Sequence, residues 1–298
     1  MAHVLGHNQY GKAETRVVRI YRDTDPHEIV DYNVSAALSG DFADTHLSGD
    51  NAAVLTTDAV KNTVNAFAKE HSDAARQPES FGIALAKHFV DDTAPVHRAR
   101  IKLEMYPWNR LSHDGTPHPH AFARDGGHVR TSTVTYDGSN LWVTSGVTDY
   151  VVLKTTDSEF WGYLQDRYTT LKPTHDRVMA TSVTGQWWHT DHSADWAKSY
   201  DSAVATMSSV FAGHHSLALQ QTMFAMGEAM IAEQPEIGEV RFSLPNKHHF
   251  VLDLSPYGLE NPNEVFHADD RPYGFIEGTI HNDDAPAPGL AFDPGQGW

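Results

Sequence analysis

An α+β fold, with antiparallel sheets and helices paired on one face, is what the sequence predicts, and three observations lead to it. Period-two runs mark strands: Ile101, Leu103 and Met105 alternate with Lys102, Glu104 and Tyr106, so one side of that strand is buried and the other wetted. Apolar residues at three- and four-residue spacing mark helices, and these helices come in pairs. The pair recurs about 140 residues further along the 298-residue chain. That recurrence points to a duplicated unit, each copy with its helices packed on antiparallel sheet, and divides the chain into units spanning 1–145 and 146–298.

Taken in order, the first unit places Val60, Val64 and Phe67 on one helical face and Phe81, Leu85 and Phe89 on another. The first of these helices starts within L55-T-T-D-A-V-K-N62, where Thr57 and Asp58 carry the side-chain oxygens suited to capping a helix N-terminus. After the 101–106 strand, residues 110–150 are rich in His, Gly, Ser and Thr and read as loops and β-hairpins. In the second unit Tyr200, Val204, Met207 and Phe211 form one stripe and Leu219, Met223, Met226 and Met230 the next, with the methionines read as core packing. Val240, Phe242 and Leu244 alternate with Arg241 and Ser243. After P-N-K-H-H the pattern resumes at Phe250, Leu252 and Leu254, giving two strands or one interrupted strand.

Composition removes several function classes. With 39 acidic against 22 basic residues the formal charge is −17, which repels nucleic-acid phosphates and anionic membrane surfaces, so neither is expected as a partner. The absence of cysteine excludes disulfides, thiolate nucleophiles, iron–sulfur clusters and Cys-ligated zinc. No apolar run approaches the roughly 18 residues of a membrane span, and the first dozen residues lack an apolar signal core. The C-terminal D-P-G-Q-G-W is not a peroxisomal address, and a cytoplasmic protein is the expectation. Twenty histidines cluster at His118/His120, His189/His192, His214/His215 and His248/His249, yet none has the spacing of a zinc site. Neither a G-x-G-x-x-G nor a G-x-x-x-x-G-K-[ST] loop is present. An enzyme built on this chain is therefore expected to need neither metal nor cofactor.

Six stretches taken together identify a family: Y10-G-K12, T57-D58-A-V-K-N62, F160-W-G-Y-L-Q-D-R-Y-T-T-L-K172, D176-R177, L219-Q220-Q-T-M223 and S243-L-P-N-K-H248. They resemble urate oxidase (uricase) from about Tyr10 to about residue 267, nearly the whole chain. The resemblance implies the tunnelling fold: two tandem units that dimerise into a barrel and stack as a homotetramer, a dimer of dimers, with sites across subunit interfaces. It implies oxidation of urate by O2 and water to 5-hydroxyisourate and hydrogen peroxide, with no cofactor. The tail after His267 does not match, and the missing peroxisomal tripeptide fits a bacterial, cytoplasmic member.

Chemistry and resemblance together assign the site. Urate is a planar anion near neutral pH, and the resemblance implies that Phe160 stacks on its ring, a contact worth roughly 0.5–1.5 kcal/mol beyond burial. Arg177 is implied to clamp one purine edge with a planar fork that Lys cannot supply; alone it would read as a surface charge. Gln220 is implied to bind another edge by its amide, at a helix start where free backbone N–H groups, including that of Leu219, favour an anion. Lys12, Thr57 and His248 are implied to form a proton relay. A Thr hydroxyl both donates and accepts, His has a near-neutral ordinary pKa, and Lys12 must be at least partly neutral to act as a base. Asn246 is implied to hold oxygen or water above the ring, Thr57 also to touch the substrate, and Asp58 to orient its neighbours, with helix capping as its simpler role. Two rivals remain: a tunnelling-fold enzyme acting on pterins with a His-ligated metal, and a purine-binding protein without turnover.

Overall fold

The computed structural model describes residues 3–294; residues 1–2 and 295–298, including the last part of the C-terminal stretch discussed above, lie outside the described residues. The first half runs β1 (Tyr10–Tyr21), β2 (Glu28–Gly40), α1 (Ala43–Leu47), α2 (Thr57–Glu70), α3 (Pro78–Asp91), β3 (Val96–Met105), β4 (Trp108–His113), β5 (Thr116–Arg124) and β6 (Val129–Tyr136). The second continues with β7 (Leu141–Lys154), β8 (Met179–His189), α4 (Trp196–Gly213), α5 (Leu219–Glu233), β9 (Ile237–Ser243), β10 (Asn246–Val251), β11 (Phe266–Gly274) and β12 (Glu277–His281). The paired helices of each half stand where the apolar stripes put them.

Both halves feed one continuous ten-stranded sheet, in which β1-β2-β3-β6-β7-β8-β10-β11 form the main path and β9 joins β8 to β12. Its ladders are antiparallel. β4 and β5 form a separate hairpin, within the stretch whose composition suggested hairpins. The question left open at P-N-K-H-H resolves as two strands: β8 pairs with β9 from Thr184 onward and with β10 at Thr181. Pro245, which has no N–H to give to a ladder, sits where the chain leaves one and enters the other. Leu252 and Leu254 fall beyond the end of β10.

Burial follows the stripes into two apolar cores. In the first, Phe81, Leu85 and Phe89 of α3 are fully buried with Ile101 and Leu103 of β3 and Val34 and Leu38 of β2. α3 opens on Pro78, whose fixed φ suits the first helical position. In the second core Met207, Met223, Met226 and Met230 pack with Trp187, Val240 and Phe242. Truncating one such side chain to Ala costs about 2–5 kcal/mol. Val143 belongs to the first core and Val147, four residues along the same strand β7, to the second.

A buried polar network sits where these cores meet. Arg130 of β6 donates to Glu79 Oε2 at 2.7 Å and to Trp196 O at 3.1 Å. Ser145 Oγ of β7 donates to Glu79 Oε1 at 2.5 Å and lies 2.9 Å from His189 Nε2 of β8. A serine hydroxyl has one proton; given to Glu79, it leaves the oxygen as acceptor, which assigns the imidazole proton to His189 Nε2. Burial pushes the His189 pKa down to about 3, so the ring is neutral.

Candidate active site

Lys12 and Thr57 are brought toward each other by the residues just before them. Tyr10 Oη accepts a hydrogen bond from Leu55 N at 2.8 Å, tying β1 two residues before Lys12 to the segment two residues before Thr57. The Tyr10 ring stands edge-on to Phe42 at 4.7 Å. Gly11 permits the close approach of β1 to β2, since a Cβ there would lie 1.9 Å from Ala36 O. The β1–β2 register slips between Lys12 and Thr15, and Glu14, at φ 56°, donates its N–H to Ser35 Oγ at 3.0 Å. Such an irregularity twists an edge strand and re-aims its side chains. Lys12 thereby lines a cavity of about 550 Å³ with Gln9, Asn33, Ser35, Lys102 and Glu104.

The capping assignment needs correction. Thr56, with extended backbone, is the N-cap of α2, and its hydroxyl oxygen accepts from Ala59 N at 3.0 Å. Thr57 and Asp58 are the first two helical residues, so neither caps the helix. Two adjacent threonines offer the same capping chemistry, and only the backbone decides which one bends into it. Among the described residues the exposed Thr57 hydroxyl has no partner. Asp58 accepts from Lys61 at 2.5 Å and Asn62 at 3.0 Å. Those two bonds hold its pKa below the usual carboxylate value, and the charge of Lys12 adds to the effect.

A second group gathers around the β7–β8 loop. Phe160 and Thr174 exchange backbone hydrogen bonds of 2.8 and 3.0 Å, which close the loop. Arg177 donates its backbone N–H to Ser158 O at 2.9 Å and Nε–H to Ser158 Oγ at 3.1 Å, and its Cζ lies 5.2 Å from the Phe160 ring centre. Burial pushes the Arg177 pKa down, yet among the described residues no carboxylate pairs with it. Among the described residues its two terminal nitrogens have no hydrogen-bond partner.

The same loop fixes the start of α5. Ser158 bridges to Ser216, Glu159 N donates to Ser216 O at 2.7 Å and Ser216 N to Asp157 O at 2.9 Å. Leu219, buried, and Gln220, exposed, are then the first two residues of α5, whose N-cap Ala218 gives no side-chain cap. Gln221 Oε1 instead folds back to accept from Leu217 N at 2.9 Å. Among the described residues the Gln220 amide has no such partner, while Gln221 N and Thr222 N donate back to Ala218 O at 3.0 and 3.3 Å. Asn246 joins β10 to Thr181 of β8 and Gly274 of β11. Two residues on, half-buried His248 lies opposite Asp269 with its ring stacked on Phe250 at 5.5 Å.

The two groups are not assembled with each other inside one chain. β1 and β8 are separated by five strand spacings in the sheet order, about 24 Å along the sheet at ~4.8 Å per strand. Among the described residues no hydrogen bond, ion pair or ring contact links Lys12, Thr57 or Asp58 to Phe160, Arg177, Gln220, Asn246 or His248. The described residues also contain no cluster of three His, Asp or Glu able to hold a metal ion, and no helix among them is long and apolar enough to cross a membrane. Sequence reasoning missed Ser158 and Glu159 as neighbours of the candidate site residues, and it quoted Tyr10 in Y10-G-K12 without giving it a supporting role. Each adjoins a motif residue or lies within two positions of one, which is the signal that could have found them.

Comparison with known proteins shows the family. The uricase family profile matches residues 8–135 and 143–277. Uricase of Arthrobacter globiformis is 46% identical over 284 residues, 95% of this chain and 92% of the relative. Uricase of Dictyostelium discoideum is 37% identical, covering 92% of this chain and 96% of its own. The crystal structure of the Arthrobacter protein superposes with a TM-score of 0.92 over 96% of this chain and 98% of that one. A Bacillus fastidious uricase structure, at 21% identity, shares the fold with a TM-score of 0.78 over 92% of this chain and 93% of its own. The match spans both halves and all six quoted stretches: the chain belongs to the uricase family.

Proposed function

We propose that this chain oxidises urate with O2 and water to 5-hydroxyisourate and hydrogen peroxide, at sites built between subunits of a homotetramer and without metal or organic cofactor. The observation that carries the reading is Arg177, a half-buried cation with no counter-anion among the described residues, held over Phe160 by Ser158. An unpaired buried charge is costly; a planar anion lying on Phe160 and gripped by the guanidinium fork would satisfy it. Leu219 N–H and the Gln220 amide bind another edge of the purine. Lys12 and Thr57 take a proton from urate, and electrons pass to O2 held above the ring by Asn246. Recombination forms a carbon–oxygen bond and gives a hydroperoxide. That bond then breaks, the peroxide leaves as hydrogen peroxide with a proton returned through Thr57 and His248, and water adds at the same carbon, supplying the new hydroxyl oxygen.

The placement of the two groups on one sheet supports composite sites. Among the described residues β1, at one end of the main path, has its outer edge unpaired over 12 residues and exposes Val18 and Ile20, and β11, at the other end, pairs only with β10. Such edges call for a partner strand, which supports closure of two chains into a barrel. Trp161, Leu164, Tyr168 and Phe224 are exposed near the candidate site, and burial against a neighbour would cover them. The separate feeding of two cores by Val143 and Val147 supports tandem units at 1–145 and 146–298. Likeness to the Arthrobacter protein supports a bacterial enzyme.

The test is to mix chelator-treated protein with urate and O2 and follow urate loss with peroxide release. Equal amounts of each are expected. Urate binding without peroxide would favour the purine-binding rival, and activity lost to the chelator and restored by metal would favour a metal enzyme.

A further inference from the structure

We propose that Glu159 is a positioning residue of the urate pocket, its carboxylate holding in one register the three segments that carry Phe160, Arg177 and the start of α5. The proposal rests on the reading of Phe160 and Arg177 as urate contacts. Three donors converge on this one side chain: His215 Nε2 reaches Oε1 at 2.7 Å, while Trp161 Nε1 and His175 Nδ1 reach Oε2 at 2.7 and 2.9 Å. Trp161 follows Phe160 directly, and its ring lies 5.3 Å from that of His175. His175 is two residues before Arg177, beside the Thr174 that closes the loop on Phe160. His215 is four residues before Leu219.

An ordinary surface ion pair is the simpler interpretation, and such pairs contribute little. Here, however, the Glu159 side chain is only 17% exposed while its partners His175 and His215 are 72% and 53% exposed. Both carboxylate oxygens are occupied, and the backbone N–H of the same residue is given to Ser216. Bonds from His175, His215 and Trp161 hold the Glu159 pKa down to about 2, and Glu159 raises that of His215. Asp157 faces the other nitrogen of His215 at 3.6 Å, and the neighbouring His214 carbonyl is held by Lys154. The carboxylate touches no proposed substrate contact. It anchors the residues on both sides of Phe160 and the arm that leads to Arg177.

Glu159→Ala keeps the Phe160–Thr174 backbone pair and is expected to fold, with urate KM raised about tenfold or more and kcat changed less than about threefold. Affinity for xanthine, a purine used here as a probe of binding without turnover, should weaken by the same factor. Glu159→Gln, which keeps one acceptor oxygen, should fall between. The double variant His175→Ala/His215→Ala removes two donors without touching Glu159 and should raise KM in the same way. KM and xanthine affinity within twofold of wild type in the Ala variant and in the double variant would overturn the assignment. If Glu159→Ala does not fold, an unchanged KM in the double variant overturns it alone. A wild-type protein that neither oxidises urate nor binds xanthine refutes the urate reading itself, and the role of Glu159 with it.

Discussion

The guanidinium of Arg177 lies 5.2 Å from the centre of the Phe160 ring, with its Nε tied to Ser158 Oγ at 3.1 Å and its terminal nitrogens unpaired among the described residues. Ser158 thus fixes the rotation of the fork, and Phe160 supplies the surface on which an anion would lie. Arg177→Lys keeps the charge and loses the fork, so urate binding should weaken by about 1.5–3 kcal/mol, roughly ten- to hundredfold. Ser158→Ala should cost less, about 0.5–1.5 kcal/mol. Titration calorimetry with xanthine checks both, and equal affinity in Arg177→Lys would remove the clamp.

Lys12 and Thr57 lie on two segments joined by the Tyr10–Leu55 bond. If they pass one proton between them, their losses do not multiply: Lys12→Ala with Thr57→Ala should be scarcely slower than the worse single variant. A rate equal to the product of the two single effects would show that they act separately.

Gly11 tests how closely the edge strand must approach. A Cβ at Gly11 would meet the Ala36 carbonyl oxygen at 1.9 Å, and that atom moves only with β2. Gly11→Ala should therefore displace β1, lowering the thermal midpoint by an overpacking cost of about 1–3 kcal/mol and reducing kcat through the neighbouring Lys12. Gly6→Ala, with nothing within 4 Å, is the control and should change neither.

Much of this architecture was legible because periodicity is local. Phe81, Leu85 and Phe89 face the core in the order their spacing dictates, as do Met223, Met226 and Met230. What was not legible depends on contacts distant in sequence. Glu159, His175 and His215 share no motif, and only the closure of the β7–β8 loop onto the α5 start brings them together. Glu79, Ser145 and His189 meet for a similar reason, on one helix and two strands. The misplaced helix cap had another cause: Thr56 and Thr57 are chemically identical, and backbone geometry alone separates them.

His189 links this junction to acid stability. Its folded pKa, about 3, lies below the ordinary 6.5 because burial disfavours the imidazolium. The unfolded chain therefore binds the proton first, so the contribution of His189 is fully present above pH 6.5 and is lost as pH falls toward about 3. Glu79 acts with the opposite sign, since burial raises its pKa. The expected outcome is that His189→Asn, though less stable at neutral pH, loses less stability than wild type between pH 6.5 and 4. Parallel urea-denaturation curves across that range would contradict it.

The central claim is that Lys12 and Thr57 from one chain complete a site with Phe160, Arg177 and Gln220 from another, because five strand spacings part the two groups within a chain. The direct measurement uses two inactive proteins, Thr57→Ala and Arg177→Ala, unfolded together and refolded as a mixture. Each mixed dimer then holds one intact site beside one doubly damaged site, so random pairing restores up to ~25% of wild-type urate oxidation. Activity approaching that ceiling is the predicted result; a mixture that forms mixed oligomers yet stays as inactive as either parent would place the whole site within one subunit.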